Sequence, residues 1–268
     1  MKEFEVTDLG EMHYFLGLQF IQRSDYICIH QSKYADEILK KFNMEKCKAV
    51  DTPLASNYRL TKDDGTPSAE SLMYRSIIGS LLYLTASRPD IMFSASLLSR
   101  FMQSPSQTHF AATKRVLRYI KGTIDLGLKF EKKKSFVLMR YCNSDWAGSL
   151  YDFKSTSGYC FSLGSAVFSW NSKKQEVVAQ SSAEAEYIAA ATNHLIWLRK
   201  VFHDLGTKHI KVKFHAIRRA VKDEEVDIQH YGTTLQLANI FTKSLSKDQF
   251  MFLRYELGIC SSNTKEVC

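Results

Sequence analysis

Residues 139–148 read "MRYCNSDWAG", an apolar and aromatic run that predicts a strand buried in a sheet and closed by a turn at Gly148. Asn143 falls near its end. A strand that finishes by presenting a metal ligand carries a carboxylate there, because hard cations favour anionic oxygen and an amide offers only a neutral carbonyl. Asn143 is therefore either an ordinary strand-end amide or a degraded ligand, and the residues around it decide between the two.

Downstream, "TSGYCFSL" (156–163) and "SAVFSW" (165–170) read as two more short strands separated by turn residues. "SSAEAEYIAAATNHLIWLRKVFHDLG" (181–206) then predicts a long helix, capped by Ser181 or Ser182 and stopped at Gly206. A second helical run, "TKHIKVKFHAIRRAVKD" (207–223), begins at once. A strand near "EEVDIQHY" (224–231) and the helices "TLQLANIFTKSL" (234–245) and "SKDQFMFLRYEL" (246–257) follow. Strands and helices in this order make an α/β layer pattern.

Upstream, "MHYFLGLQFIQRSDYICIHQ" (12–31) places two β-rich runs on either side of "QRSD" and predicts a β-hairpin over 13–31. "SKYADEILKKFNM" (32–44) repeats Tyr34, Ile38 and Phe42 on one helical face, with Ser32 as N-cap. Residues 47–69 hold two of the four prolines and no periodicity, so they read as a long loop. Helices are expected over 70–86, 89–102 and 107–121, with Pro89 and Pro105 near two of the starts. The glycines and lysine run of "KGTIDLGLKFEKKKS" (121–135) break the pattern and suggest a domain boundary.

The 268 residues are 45% hydrophobic and 12% aromatic, enough for a sizeable core and incompatible with a disordered chain. Lys and Arg outnumber Asp and Glu by 36 to 28, a formal +8 that favours an acidic partner such as nucleic acid. Six widely spaced cysteines form no C-x-x-C pair and no secreted disulfide framework. No apolar leader or long apolar run is present, so an intracellular protein of cytoplasm or nucleus, with no membrane partner, is expected.

Eight blocks stand in order: "DLGEMHYFLGLQF", "YRSIIGSLLYLTASRPDI", "KRVLRYIKGT", "DWAG", "STSGYCFSLG", "SSAEAEY", "TKHIKVKFH" and "QLANIFTKSL". With them the chain resembles the C-terminal part of copia-type long-terminal-repeat retrotransposon Pol polyproteins. The resemblance implies an end of a reverse transcriptase palm over 1–31, a helical thumb and connection region over 32–125, a ribonuclease H-like domain over 136–250 and a tail over 251–268. The expected fold is thus α+β or α/β, a helical region after a β-hairpin followed by an incomplete mixed sheet with helices.

The intact family holds magnesium with carboxylates, and matching the motifs residue by residue shows what is left. The leading Asp of the "DWAG" block is Asn143, the later Glu of "EAE" is Glu186, and the Asp of the final "Q-L-A-D" helix is Asn239. The strand bearing the remaining ligand is missing, because "HDLGTKHI" joins the long helix directly to a later block, a loss on the order of thirty residues between Gly206 and Thr207. Asp145 shares a strand face with Asn143 but lies roughly 6.6 Å along the strand, too far to replace it. Glu184 and Glu186 also suit a plain structural role as first-turn carboxylates favoured by the helix dipole. The adjacent pair Asp63 and Asp64 sits in "TKDDGTP" and suits turn chemistry, not nucleotidyl transfer. His203, His209 and His215 lack a matching zinc-ligand set.

Three functional readings remain. The first is an inactive relic of a reverse transcriptase and ribonuclease H polyprotein, with no cofactor expected. The second is a module that binds an RNA–DNA hybrid or DNA without catalysis, through Lys114, Arg115, Arg118 and Lys121 on the helix "TKRVLRYIKG" and Tyr119 stacking on a base. The third is a residual magnesium-dependent ribonuclease H that retains Glu186.

Overall fold

A computed structural model describes residues 10–132, 138–190 and 232–262. Among the described residues the chain is a mixed α+β fold with two antiparallel sheets and six α-helices. The expected helix of 207–223 and strand near 224–231 lie outside the described residues, as does the predicted long helix beyond Ala190.

The first sheet contains β1 (Tyr14–Phe15), β2 (Leu18–Gln22), β3 (Tyr26–His30), β4 (Leu126–Glu131) and β8 (Ile259–Ser261), in the order β1-β2-β3-β4-β8. The hairpin expected over 13–31 is present as β2 and β3, but its first run is itself folded. Leu16 and Gly17 both take positive φ, 49° and 77°, and pair Phe15 with Leu18 across a two-residue turn whose twist suits a tight hairpin.

β4 corrects the reading of 121–135 as a break. Leu126, Leu128 and Phe130 alternate on one face, and Gly127 is what lets β3 come close. A Cβ on Gly127 would lie 2.6 Å from the Ile29 carbonyl oxygen. The glycine that looked like punctuation is a packing requirement.

The helices are α1 (Ser32–Lys41), α2 (Ser71–Leu84), α3 (Met92–Ser99), α4 (Gln107–Lys121), α5 (Ser182–Ala190) and α6 (Lys247–Glu256), with 3-10 turns at Pro89–Ile91 and Leu237–Phe241. Gln31, not Ser32, is the N-cap of α1. The Ser32 hydroxyl instead donates to Gln19 Oε1 at 3.2 Å and lies 2.9 Å from His30 Nδ1, tying the helix to the first sheet. Among the described residues no helix is long and apolar enough to cross a membrane.

The second sheet is β5 (Leu138–Asp145), β6 (Thr156–Leu163) and β7 (Val167–Lys174), in that order. One face carries Cys160 and Trp170 into the same core as Tyr74, Leu81, Val116, Phe241 and Leu253. The Trp170 indole donates to the Thr85 carbonyl at 3.1 Å, and Ser96 Oγ donates to the Ser172 carbonyl at 2.7 Å. On the other face Tyr159 and Phe161 form a smaller cluster, and the Arg140 guanidinium donates to the Ala189 and Ala190 carbonyls of α5. The second sheet therefore lies between α5 and the α3 side, with the 3-10 turn at Leu237–Phe241 on the latter.

Candidate metal site and nucleic-acid interface

Asn143 pairs with Gly158 across β5 and β6, on the face covered by the 3-10 turn. A Cβ at Gly158 would lie 2.6 Å from Phe241 Cβ and 2.8 Å from Thr242 Cγ2, so the missing side chain admits the turn to the sheet. That approach brings the sequence-matched positions 143 and 239 into one network. Asn143 Nδ2 donates to Thr242 Oγ1 at 2.8 Å, and Thr242 Oγ1 donates to the Asn239 carbonyl at 3.2 Å. Asn239 is 2% exposed, and its Nδ2 donates to the Thr233 carbonyl at 2.6 Å. Both amides thus spend an N–H on a neutral oxygen, an arrangement a carboxylate could not reproduce.

Glu186 does not join them. It is exposed on α5, which covers the opposite face of the second sheet. Of the two expected first-turn carboxylates only Glu184 lies in the first turn of α5; it accepts from the Gln180 backbone N–H at 2.8 Å while its own N–H donates to Ser181 Oγ at 3.2 Å, a capping role. Asp145 shares the Asn143 face and is half-buried. Its carboxylate is turned over the following turn, where a Cβ at Gly148 would meet Oδ2 at 2.0 Å. Burial pushes the Asp145 carboxyl up, against the opposing pull of Lys243, Arg59 and Arg100. Two amides with engaged N–H groups, one carboxylate beyond the sheet and one folded into a turn do not fit a pair of magnesium ions.

Two of the four basic side chains on α4 are committed to the protein itself. Arg118 Nε donates to the Lys48 carbonyl at 2.7 Å and Arg115 Nη2 to Thr52 Oγ1 at 3.0 Å, so both hold the long loop. Lys114 is exposed with its ammonium 4.7 Å from the Phe110 ring centroid, and Lys121 is half-buried. The stacking role expected of Tyr119 is corrected, because its ring is 0% exposed and no base can reach it. Its hydroxyl donates to Asp90 Oδ2 at 2.6 Å and accepts from Arg254 Nη1 at 3.1 Å.

Asp90 is also gripped by Arg88, whose Nε and Nη2 donate to its two oxygens at 2.9 and 2.7 Å. Burial pushes the Asp90 carboxyl up, but Arg88 and Tyr119 hold it below its usual value. Arg88 also donates to the Thr123 carbonyl at 2.7 Å. "SRPD" and "KRVLRYIKGT" are therefore two halves of one buried polar network. Sequence reasoning missed this network, Thr242 and Gly158, since no local signal connects residues so far apart in the chain. Asp64 meets its expectation: it accepts from the Thr66 N–H at 2.9 Å, closing a turn, and from the hydroxyl of Ser106, the N-cap of α4, at 2.6 Å.

Comparison with known proteins supplies the class first: residues 1–56 match the family of reverse transcriptases, RNA-dependent DNA polymerases. The Retrovirus-related Pol polyprotein from transposon RE1 of Arabidopsis thaliana is 34% identical over 96% of this chain and 20% of its own length. That from transposon TNT 1-94 of Nicotiana tabacum is 32% identical over 97% of this chain and 22% of its own length. An uncharacterized mitochondrial protein of Arabidopsis thaliana is 40% identical over 70% of this chain and 78% of its own length. Over nearly its whole length the chain is thus similar to copia-type retrotransposon Pol polyproteins, and it spans about a fifth of the length of those it matches. No solved structure matches it.

Proposed function

We propose that the chain is a catalytically inactive fragment of a copia-type reverse transcriptase and ribonuclease H polyprotein, with an intracellular location. In this reading β1 to β3 descend from the palm end and primer-gripping hairpin, α1 to α4 from thumb and connection, and residues 136–250 from an incomplete ribonuclease H-like domain. One observation carries it: Asn143 and Asn239 bond to each other's surroundings through Thr242, while Glu186 stands on the far side of the sheet. In this reading no magnesium is held, because the positions that would hold it carry neutral amides in place of carboxylates.

The length of the match supports an internal loss as well. The alignment to the RE1 polyprotein covers 288 positions against 96% of a 268-residue chain, an excess of about thirty positions, the size of one strand and helix unit. We assign this loss to the junction between Gly206 and Thr207.

The test is incubation of the purified chain with an RNA–DNA hybrid and magnesium. No cleavage above background is expected, and cleavage abolished by Glu186→Gln would refute inactivity. A second reading, binding of a hybrid or duplex without catalysis, is favoured by the formal charge of +8 and by exposed Lys114. It requires affinity that falls steeply with salt, and affinity insensitive to salt would exclude it.

A further inference from the structure

An open cleft of about 230 Å³ beside the first hairpin is lined by Tyr14, Gly17, Tyr34, Glu37 and Tyr83. Three aromatic rings and one carboxylate are an unusual lining on a chain with an excess of positive charge. The cleft is also held in shape by specific contacts. The Tyr83 hydroxyl, on the last turn of α2, donates to the Leu16 carbonyl at 2.9 Å and so pins that ring to the hairpin turn. A Cβ on Gly17 would lie 1.8 Å from the same hydroxyl oxygen, so position 17 needs glycine both for its φ of 77° and for space. Tyr34 on α1 meets Tyr83 edge to face, with ring centroids 4.7 Å apart and planes at 70°, which fixes two walls as a corner. Tyr14 is 61% exposed and forms the outer wall.

Glu37 lies three residues after Tyr34, on the same side of α1. Among the described residues it makes no ion pair; the nearby Lys40 ammonium feels its charge but is bound to Asp36 at 2.6 Å. This combination discriminates between ligand classes. A phosphate would be repelled by Glu37, and a divalent cation needs more oxygen ligands than one carboxylate supplies. A primary ammonium keeps its water, whereas a quaternary ammonium sheds it cheaply and presents polarised methyl groups to ring faces.

We propose that this cleft binds a quaternary ammonium group, such as a trimethylated lysine side chain or a choline head group. The proposal stands apart from the question of catalysis, since the cleft shares no residue with positions 143, 186 and 239.

The test is titration of the full chain, followed by NMR or calorimetry, with choline and with 3,3-dimethylbutan-1-ol, which has the same shape but carbon in place of the charged nitrogen. Choline is expected to bind about tenfold more tightly than the alcohol, the ratio that a net cation–π and carboxylate attraction of this kind produces. Glu37→Gln, on an exposed helix face, should remove most of that difference while leaving the circular dichroism unchanged, and Tyr34→Leu should weaken choline alone. Equal binding of the two compounds, no binding of either, or a difference that survives Glu37→Gln would overturn the proposal. A trimethyllysine peptide and phosphatidylcholine vesicles, compared as competitors of choline, then separate a protein source from a lipid source.

Discussion

At the scale of single residues, the candidate metal site turns on two uncharged amides, Asn143 and Asn239. Asn239 donates to the Thr233 carbonyl from a position almost without solvent. Asn239→Asp would set a carboxylate against that oxygen and bury an unpaired charge, so a loss of about 2–4 kcal/mol is expected in urea unfolding at pH 7. An unchanged midpoint would mean that this network does not exist in solution. Gly158 is a second test, since a methyl group there collides with Phe241 and Thr242. Gly158→Ala should cost about 1–3 kcal/mol by overpacking, read from the same experiment. Asn143 and Asn239 could be matched to each other from sequence motifs, but Thr242 as their link and Gly158 as the gap that admits it could not. Both depend on which surface the 3-10 turn rests against.

At the scale of elements, the buried Arg88–Asp90 pair joins the Pro89–Ile91 turn to α4 through Tyr119 and Thr123, and to α6 through Arg254. Asp90→Ala would leave the Arg88 guanidinium buried without its counter-charge, and a loss of about 3–5 kcal/mol is expected in chemical denaturation. Helix positions were legible because the 3.6-residue period and the prolines are local signals: α2, α3 and α4 lie within the stretches expected of them. The basic face of α4 was legible as a stripe, yet its use was not. Arg115 and Arg118 bind loop oxygens that only the folded chain brings near. Tyr119 looked available for stacking because spacing alone does not say which side of a helix meets a second layer.

At the scale of the whole molecule, the C-terminal segment is woven into the first sheet. β8 pairs with β4 from Leu126↔Ser261 to Leu128↔Ile259, and Phe250 of α6 packs edge to face on Tyr119 at 5.6 Å. A chain ending at Ser246 should therefore lose cooperative unfolding, and hydrogen exchange at 126–131 should become fast. Protection that persists would show that the first sheet stands alone. Acid sensitivity is a second global property. Burial lowers the pKa of His30 and of His109, the latter against the pull of the Thr61 carbonyl and Asp64. The unfolded chain then binds protons that the folded one resists, so this contribution is present above the unfolded value of about 6.5 and is lost as pH falls below it. The urea midpoint should drop between pH 7.5 and 5.5, and a flat profile would show that these rings are not buried as neutral species.

The sequence by itself determined the local elements, the likeness to retrotransposon Pol polyproteins and the presence of amides at positions 143 and 239, because periodicity, turn chemistry and residue identity are read along the chain. The tertiary structure alone decided that β4 is a strand, that the C-terminus completes the first sheet, that Tyr119 is buried and that Glu186 lies across the second sheet from Asn143. Those outcomes depend on which apolar faces meet, and such contacts between distant segments leave no local trace in composition or spacing.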